Sequence, residues 1–199
     1  VDLAAQIDLV AAWLDATDAA TAQARVDAAV ARAHSPDKLR APRAATAFEA
    51  RRAALHEACH ACTAQIAGIG VMRVYVRNGG GGCEYGRGRG GDESQPLGLL
   101  AAIDCDLAGI HGELFADCAD AARQFQLSHS PDVLAASLRL AQLRKCGPEW
   151  AQFPTRTAAS IGACVIREHW ATVTRLAACL AAVGELSGVE VAAMCGRPS

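Results

Sequence analysis

The chemistry of this chain is concentrated in "ALHEACHAC", residues 54–62, where His56, Glu57 and His60 form an HExxH sequence. Side chains at i and i+4 share one helical face, so on a helix both imidazoles reach a single Zn²⁺ at about 2.0–2.1 Å. Glu57 projects from the adjacent angle, toward a water on the metal. These are the parts of a hydrolase. The metal lowers the pKa of the water and polarises a carbonyl, and the glutamate takes the water's proton and later returns one to a leaving amine.

The same turn holds a rival, the C-x-x-C pair Cys59 and Cys62. A structural zinc would need two further ligands of matching spacing, and no second C-x-x-C exists. A redox pair sits at a helix N-terminus, where the dipole lowers the thiol pKa, whereas this pair falls about four turns inside the expected helix. Both cysteines are therefore read as small packing residues. Two histidines leave a catalytic zinc one protein ligand short. Glu113, Asp117, His129 and Asp132 are candidates, with Asp104 and Asp106 less well placed, and spacing does not choose among them. Asp132 also has an ordinary helical role, since Ser130 as N-cap and Pro131 at the first position put its carboxylate in a first turn.

Stepping outward, the segment that carries HExxH must be a helix. Apolar periodicity after Pro42 supports one from about Ala44 to Ala67, stopped by Gly68 and Gly70. Upstream, Leu3, Ile7, Val10, Leu14, Val26 and Val30 mark a broken helix or helical hairpin over residues 1–33, ended by "HSPDK". "VMRVYVR" alternates and is β-rich, predicting a strand over 71–77. The glycine-rich "NGGGGCEYGRGRGG" reads as a mobile flap lacking the Lys and Ser/Thr of a phosphate loop, with a short second strand at 83–86. Helices are expected over about 97–116, 118–126, 131–145 and 155–184, and a last short one opens at the Ser187–Glu190 capping box.

A length of 199 residues fits one domain, and an apolar share of 52% that is poor in aromatics favours helices packed through small side chains. The expected class is mainly α with a small β-element beside the HExxH helix. A net charge of −2 with interspersed signs gives no field for nucleic acid. Apolar runs fall short of the roughly 20 residues of a spanning helix, so no membrane span is expected. Nine scattered cysteines suit buried, reduced thiols and a cytoplasmic setting.

Several of these pieces together resemble the peptidase domain of FtsH-type ATP-dependent zinc metalloproteases. "HEACHA" looks like that family's HEAGHA, and "VMRVYVRNGGG" lies where the family has a strand followed by a glycine-containing turn. "LAGIHGELFAD" is similar to its GGRAAEELIFG helix, "SPDVLAASLRLAQ" to its Asp-led helix, and "HWATVTRLAACLAAVGELSGVEVAAM" to its closing helices. The similarity runs over residues 44–195, in the same order. It implies a zincin-like metallopeptidase domain at 42–199, preceded by a helical extension at 1–41. It also implies Zn²⁺ held by His56, His60 and Asp132, Glu57 as general base, and Glu113 orienting a ligand, with Glu113 as the alternative third ligand. Strand 71–77 would be the edge to which a peptide or unfolded-protein substrate adds. The family's hexameric assemblies leave room for a homo-oligomer or a separate ATPase partner.

Two departures stand out. Cys59 stands where the family's HEAGH has its glycine, inside the expected metal helix, and the chain carries no P-loop. The expected function is a zinc-dependent endopeptidase. The alternative is a catalytically weak or inactive interaction scaffold that keeps the peptidase fold and its metal site.

Overall fold

The computed structural model describes residues 2–17, 20–25, 45–78, 80–86 and 92–196. Helix α1 spans Leu3–Asp15, and residues 20–25 are also helical. The HExxH helix, α2, covers Ala47–Ala67, and strands β1 (Val71–Arg77) and β2 (Gly80–Tyr85) follow. Then come α3 (Pro96–Phe115), α4 (Ala121–Ser128), α5 (Pro131–Leu143), α6 (Thr155–Glu168) and α7 (Trp170–Val183). A three-residue strand β3 (Glu185–Ser187) and α8 (Gly188–Met194) complete the order. The protein is mainly helical with one small antiparallel sheet. Among the described residues, no helix is long and apolar enough to cross a membrane.

Local chemistry sets the ends of α2. Thr46 and Glu49 form a reciprocal capping box at its start, and Gly68, left-handed at φ 78°, accepts the chain reversal at its end. The helix therefore begins at Ala47 rather than near Ala44, since Thr46 takes the cap. The parts of the expected N-terminal hairpin at residues 26–33, with "HSPDK", lie outside the described residues, as do residues 87–91 of the expected flap.

Helix α3 lies between two cores. One face carries Leu99, Ile103, Leu107 and Ile110 into a cluster with Val10 and Leu14 of α1, Leu140 of α5 and Ala158, Ala159 and Ala163 of α6. The N-terminal helix thus packs into the same core as the helices downstream, and Arg156 pairs with Asp8 at 2.6 Å across that contact. Ala108 of α3 joins a second core formed by Ala54, Ala58 and Ala61 of α2, Val74 of β1, Leu176 and Leu180 of α7, and Leu186 of β3. This division explains why the single helix expected over 155–184 is two. The alanines of α6 fill the first core, while Ile166 near its end and the buried residues of α7 fill the second, so the chain turns at His169 (φ −102°, ψ 18°) and Trp170 lodges edge-on against Phe115. No glycine or proline marks the break.

The sheet corrects two further expectations. Strand order is β2-β1-β3, with Val74 opposite Cys83 on one side and Leu186 on the other. Strand 71–77 is therefore central and offers no free edge to a peptide. The second strand expected at 83–86 instead begins at Gly80, whose partner is Arg77, so three residues of the glycine run lie in the ladder.

Close packing of α2 on α3 depends on missing side chains. A Cβ at Gly112 would overlap the Cys59 sulfur, and one at Gly109 would lie 2.5 Å from the His56 ring. Cys59, fully buried, thus occupies space that Gly112 leaves open, so its bulk does not hold α2 and α3 apart. Gly112→Ala is expected to destabilise the protein by about 1–3 kcal/mol through overpacking. Cys59→Gly in the same chain should recover much of the packing loss, so thermal unfolding of both single variants and the double variant would show strong non-additivity. Additive losses would exclude the contact.

Candidate metal centre

Four elements converge on the HExxH turn. His56, Glu57 and His60 come from α2, Glu113 and the Cys105 carbonyl from α3, Arg123 from α4 and Asp132 from the start of α5. The helical spacing brings the two imidazoles together as expected, with ring centroids 4.7 Å apart and the rings steeply inclined. His60 donates from Nδ1 to the Cys105 carbonyl at 2.6 Å, and His56 donates from Nδ1 to the Glu113 carboxylate at 2.8 Å. Each partner can only accept, which places the ring proton on Nδ1 and leaves Nε2 for the inside of the site.

The Nε2 atoms face each other at 3.0 Å, and Asp132 Oδ2 lies 3.1 Å from His56 Nε2. His56, His60 and Asp132 can offer ligand atoms that all lie within 4.8 Å of one another. Ligand atoms about 2.05 Å from one tetrahedral ion stand roughly 3.3 Å apart, so this set could hold a metal ion. Asp132 is positioned by the cap foreseen for it: the Ser130 hydroxyl accepts from Val133 N at 3.3 Å, and Pro131 starts the helix.

Electrostatics point the same way. Burial disfavours charge on His56, but hydrogen bonds to Asp132 and Glu113 outweigh it and lift the ring to about 10. Burial, reinforced by the neighbouring His56, lowers His60 to about 4. Without a metal ion the cluster therefore carries its positive charge as a proton on His56. A bound cation would stand in for that proton, leaving both Nε2 lone pairs to coordinate. For Asp132, burial is overcome by His56 and His60, which hold its carboxyl below the usual range.

Glu113 stands behind His56, on the side away from His60 and Asp132. It is completely buried, and Arg123 clasps it, with Nε on Oε2 at 2.7 Å and Nη2 on Oε1. Burial pushes its carboxyl up, but Arg123 and His56 outweigh that and hold it below the usual carboxylate range. Arg52 lies 3.7 Å away. Both Glu113 oxygens are thus committed, which disfavours it as third ligand.

The other candidates lie elsewhere. Asp117 sits in an exposed turn at φ 54°, and His129 bonds Ser128 and the Phe125 carbonyl. Asp104 is buried away from the cluster, and Asp106 pairs with Arg139. Cys59 and Cys62 are free, buried thiols, both pushed well above the usual thiol range, Cys59 chiefly by burial and Cys62 by a bond to Cys195 followed by burial. Neither belongs to the ligand set.

Glu57 lines a cavity of about 260 Å³ shared with His56, Asp132, Arg123 and Gly81 of β2. Burial, partly offset by His56, raises its carboxyl to about 7. β2 approaches so closely that a Cβ at Gly81 would come within 2.6 Å of Glu57 Cγ. Arg123 and the closeness of β2 were not anticipated. A lone arginine has no sequence signature as the partner of a buried glutamate ten positions earlier. The glycine run did signal close backbone approach, but it resembled a loop.

Compared with known proteins, the chain matches no family model and no curated protein.

Asp132→Ala should reduce bound zinc to well below one equivalent by elemental analysis. Glu113→Ala should retain the three ligands but weaken affinity by about 10–100-fold, because His56 loses its orienting partner. Equal, stoichiometric zinc in wild type and Asp132→Ala would reject this ligand set.

Proposed function

We propose that the chain is a zinc-dependent metallopeptidase with a zincin-like fold, related to the FtsH-type peptidase domain, that hydrolyses peptide bonds in loose or unfolded protein chains. The observation that carries this reading is the facing pair of Nε2 atoms, with Asp132 completing three ligands and Glu57 beside them. A donor set of two imidazoles and one carboxylate suits Zn²⁺, and three protein ligands are what a catalytic site uses. When bound, zinc supplies Lewis acidity that polarises the peptide carbonyl and acidifies a water molecule.

The remaining steps belong to the protein. Glu57 takes one proton from the attacking water, whose oxygen bonds to the carbonyl carbon. It then returns that proton to the amide nitrogen as the carbon–nitrogen bond breaks, leaving a carboxyl and an amine. Without a metal, burial raises its carboxyl to about 7, so Glu57 takes up a proton more readily than an exposed glutamate. Glu113, held by Arg123, keeps the His56 ring in its ligating orientation.

The substrate strand adds to β2 rather than to strand 71–77. Among the described residues β2 pairs only with β1, and its exposed Gly80 and Gly81 border the cavity at Glu57. Main-chain bonding there would lay a peptide across the metal ligands with little dependence on its side chains.

Glu57→Gln should keep stoichiometric zinc while slowing cleavage of an unfolded test protein by about 10²–10⁴-fold. Wild type and variant equally inert across several substrates would instead favour a scaffold that retains the metal. Glu57 works as a base only when deprotonated, so activity must fall as pH drops through its pKa. A neighbouring dication lowers that raised pKa, so the acid limb of kcat/KM should lie below about 7 and vanish in Glu57→Gln. An acid limb centred well above 7 would contradict the assignment.

A further inference from the structure

The cleft beside the metal centre is walled by β2 and α5, and a separate second cavity borders the same two elements. The walls at the centre are Gly80 and Gly81 of β2 and Ser130, Pro131 and Asp132 at the start of α5. Farther along the same two elements, Tyr85 of β2 and Arg139 of α5 border a second, more enclosed cavity of about 140 Å³. Seven helical residues separate Asp132 from Arg139, about 10 Å at 1.5 Å per residue. Four strand residues separate Gly81 from Tyr85, about 13 Å at 3.3 Å per residue. A strand added to β2 would therefore pass this cavity about three or four residues from the metal ligands. The floor links the two sites directly, because Cys105, whose carbonyl holds His60, also lines the second cavity.

Ile69, Ala102 and the Tyr85 ring form its apolar walls, and Asp106, Glu93 and Arg139 form its polar end. The guanidinium is already committed. Arg139 gives Nε and Nη2 to Glu93 at 2.9 and 3.1 Å and Nη1 to Asp106 Oδ2 at 2.6 Å. Two carboxylates thus face one cation, and Asp106 Oδ1 has no hydrogen-bond partner among the described residues. An incoming carboxylate would have to compete with two acids already bonded to Arg139, which takes three of its five N–H groups. A long aliphatic stem with a cationic head would match both the walls and the end.

We propose that this cavity is a specificity pocket for a lysine or arginine side chain of the substrate, three or four residues from the bond that is cut. The assignment rests on the peptidase reading above and adds a preference which that reading does not require. Asp106 and Glu93 are its determinants, Asp106 through its free oxygen and Glu93 by holding Arg139 aside.

The test uses zinc-loaded Glu57→Gln protein and short dansylated peptides of alanine, serine and leucine, with one lysine moved position by position. Matched series carry glutamate or leucine instead, and binding is read by fluorescence anisotropy. Wild-type cleavage products, identified by mass, give the register. Lysine at one fixed position should tighten binding about five- to tenfold over leucine, as expected for a charge-assisted contact. That preference should fall below about twofold in Asp106→Asn. It should fall in the same direction in Glu93→Gln, which alters an exposed turn and spares the fold. Leucine or glutamate peptides bound as tightly as the best lysine peptide would overturn the pocket while leaving the peptidase reading intact. A protein that binds none of the peptides would overturn both.

Discussion

Two imidazole nitrogens facing each other across 3.0 Å are the constraint on which this fold turns. Left neutral, with their outer nitrogens fixed as donors, they would set lone pair against lone pair in a buried site. The arrangement is tolerable only with positive charge between or beside them, and the surroundings are built to demand it. Asp132 and Glu113 flank His56 strongly enough to hold a proton on it up to about 10, although burial works against the charge. A site that stabilises a cation this firmly, with ligand lone pairs already aimed inward, is preorganised for a metal ion.

That preorganisation depends on α3. The helix must come close enough for the Cys105 carbonyl to reach His60 and for Glu113 to reach His56, and glycines at 109 and 112 allow the approach. Bringing Glu113 into a fully buried position then creates a second problem, an ionised carboxylate out of water. Arg123 from α4 answers it with a two-pronged clasp, made possible because Asp120 caps α4 by accepting from Arg123 N at 2.8 Å. The ligand shell, its orienting acid and that acid's counter-ion therefore come from separate helices, and the two cores on either side of α3 keep those helices in register. Hydrophobic packing here is what makes buried electrostatics affordable.

How much of this could be read from the residues depends on the range of the interaction. His56, Glu57 and His60 were legible because helical periodicity alone puts them together. The caps at Ser130 and Ser187 were legible because they are local hydrogen-bond patterns, whereas the equally local Thr46–Glu49 box was overlooked. Asp132 could not be separated from its rivals by spacing, since nothing local says which of several acids returns to α2. The resemblance singled it out, and the structure places it in the cluster. Arg123 and Arg139 were invisible, because a lone arginine announces neither its partner nor its burial. The break at His169 and the three residues of β3 were missed for a related reason. Both are imposed by which core each segment fills, and the apolar pattern runs through without a marker.

The glycine run shows how the same residues can mislead and inform. Glycine costs conformational entropy in a strand and offers no side chain to pack, so eight in a short stretch resembled a loop. Gly81 nevertheless sits in the ladder opposite Val76, where a side chain would strike Glu57 and the Tyr75 carbonyl. The missing side chain lets a strand edge lie against Glu57, which no bulkier residue at that position would permit. Because β1 is covered on both sides, β2 is the edge that meets the cavity, and its direction sets the direction of the cleft. The run from Gly80 to Tyr85 along one wall, matched by Asp132 to Arg139 along the other, gives the site a length as well as a centre. Under the proposed function, a metal held against this open strand edge would act on an extended chain independently of its sequence. Any selectivity must then come from what lies farther along the same two walls.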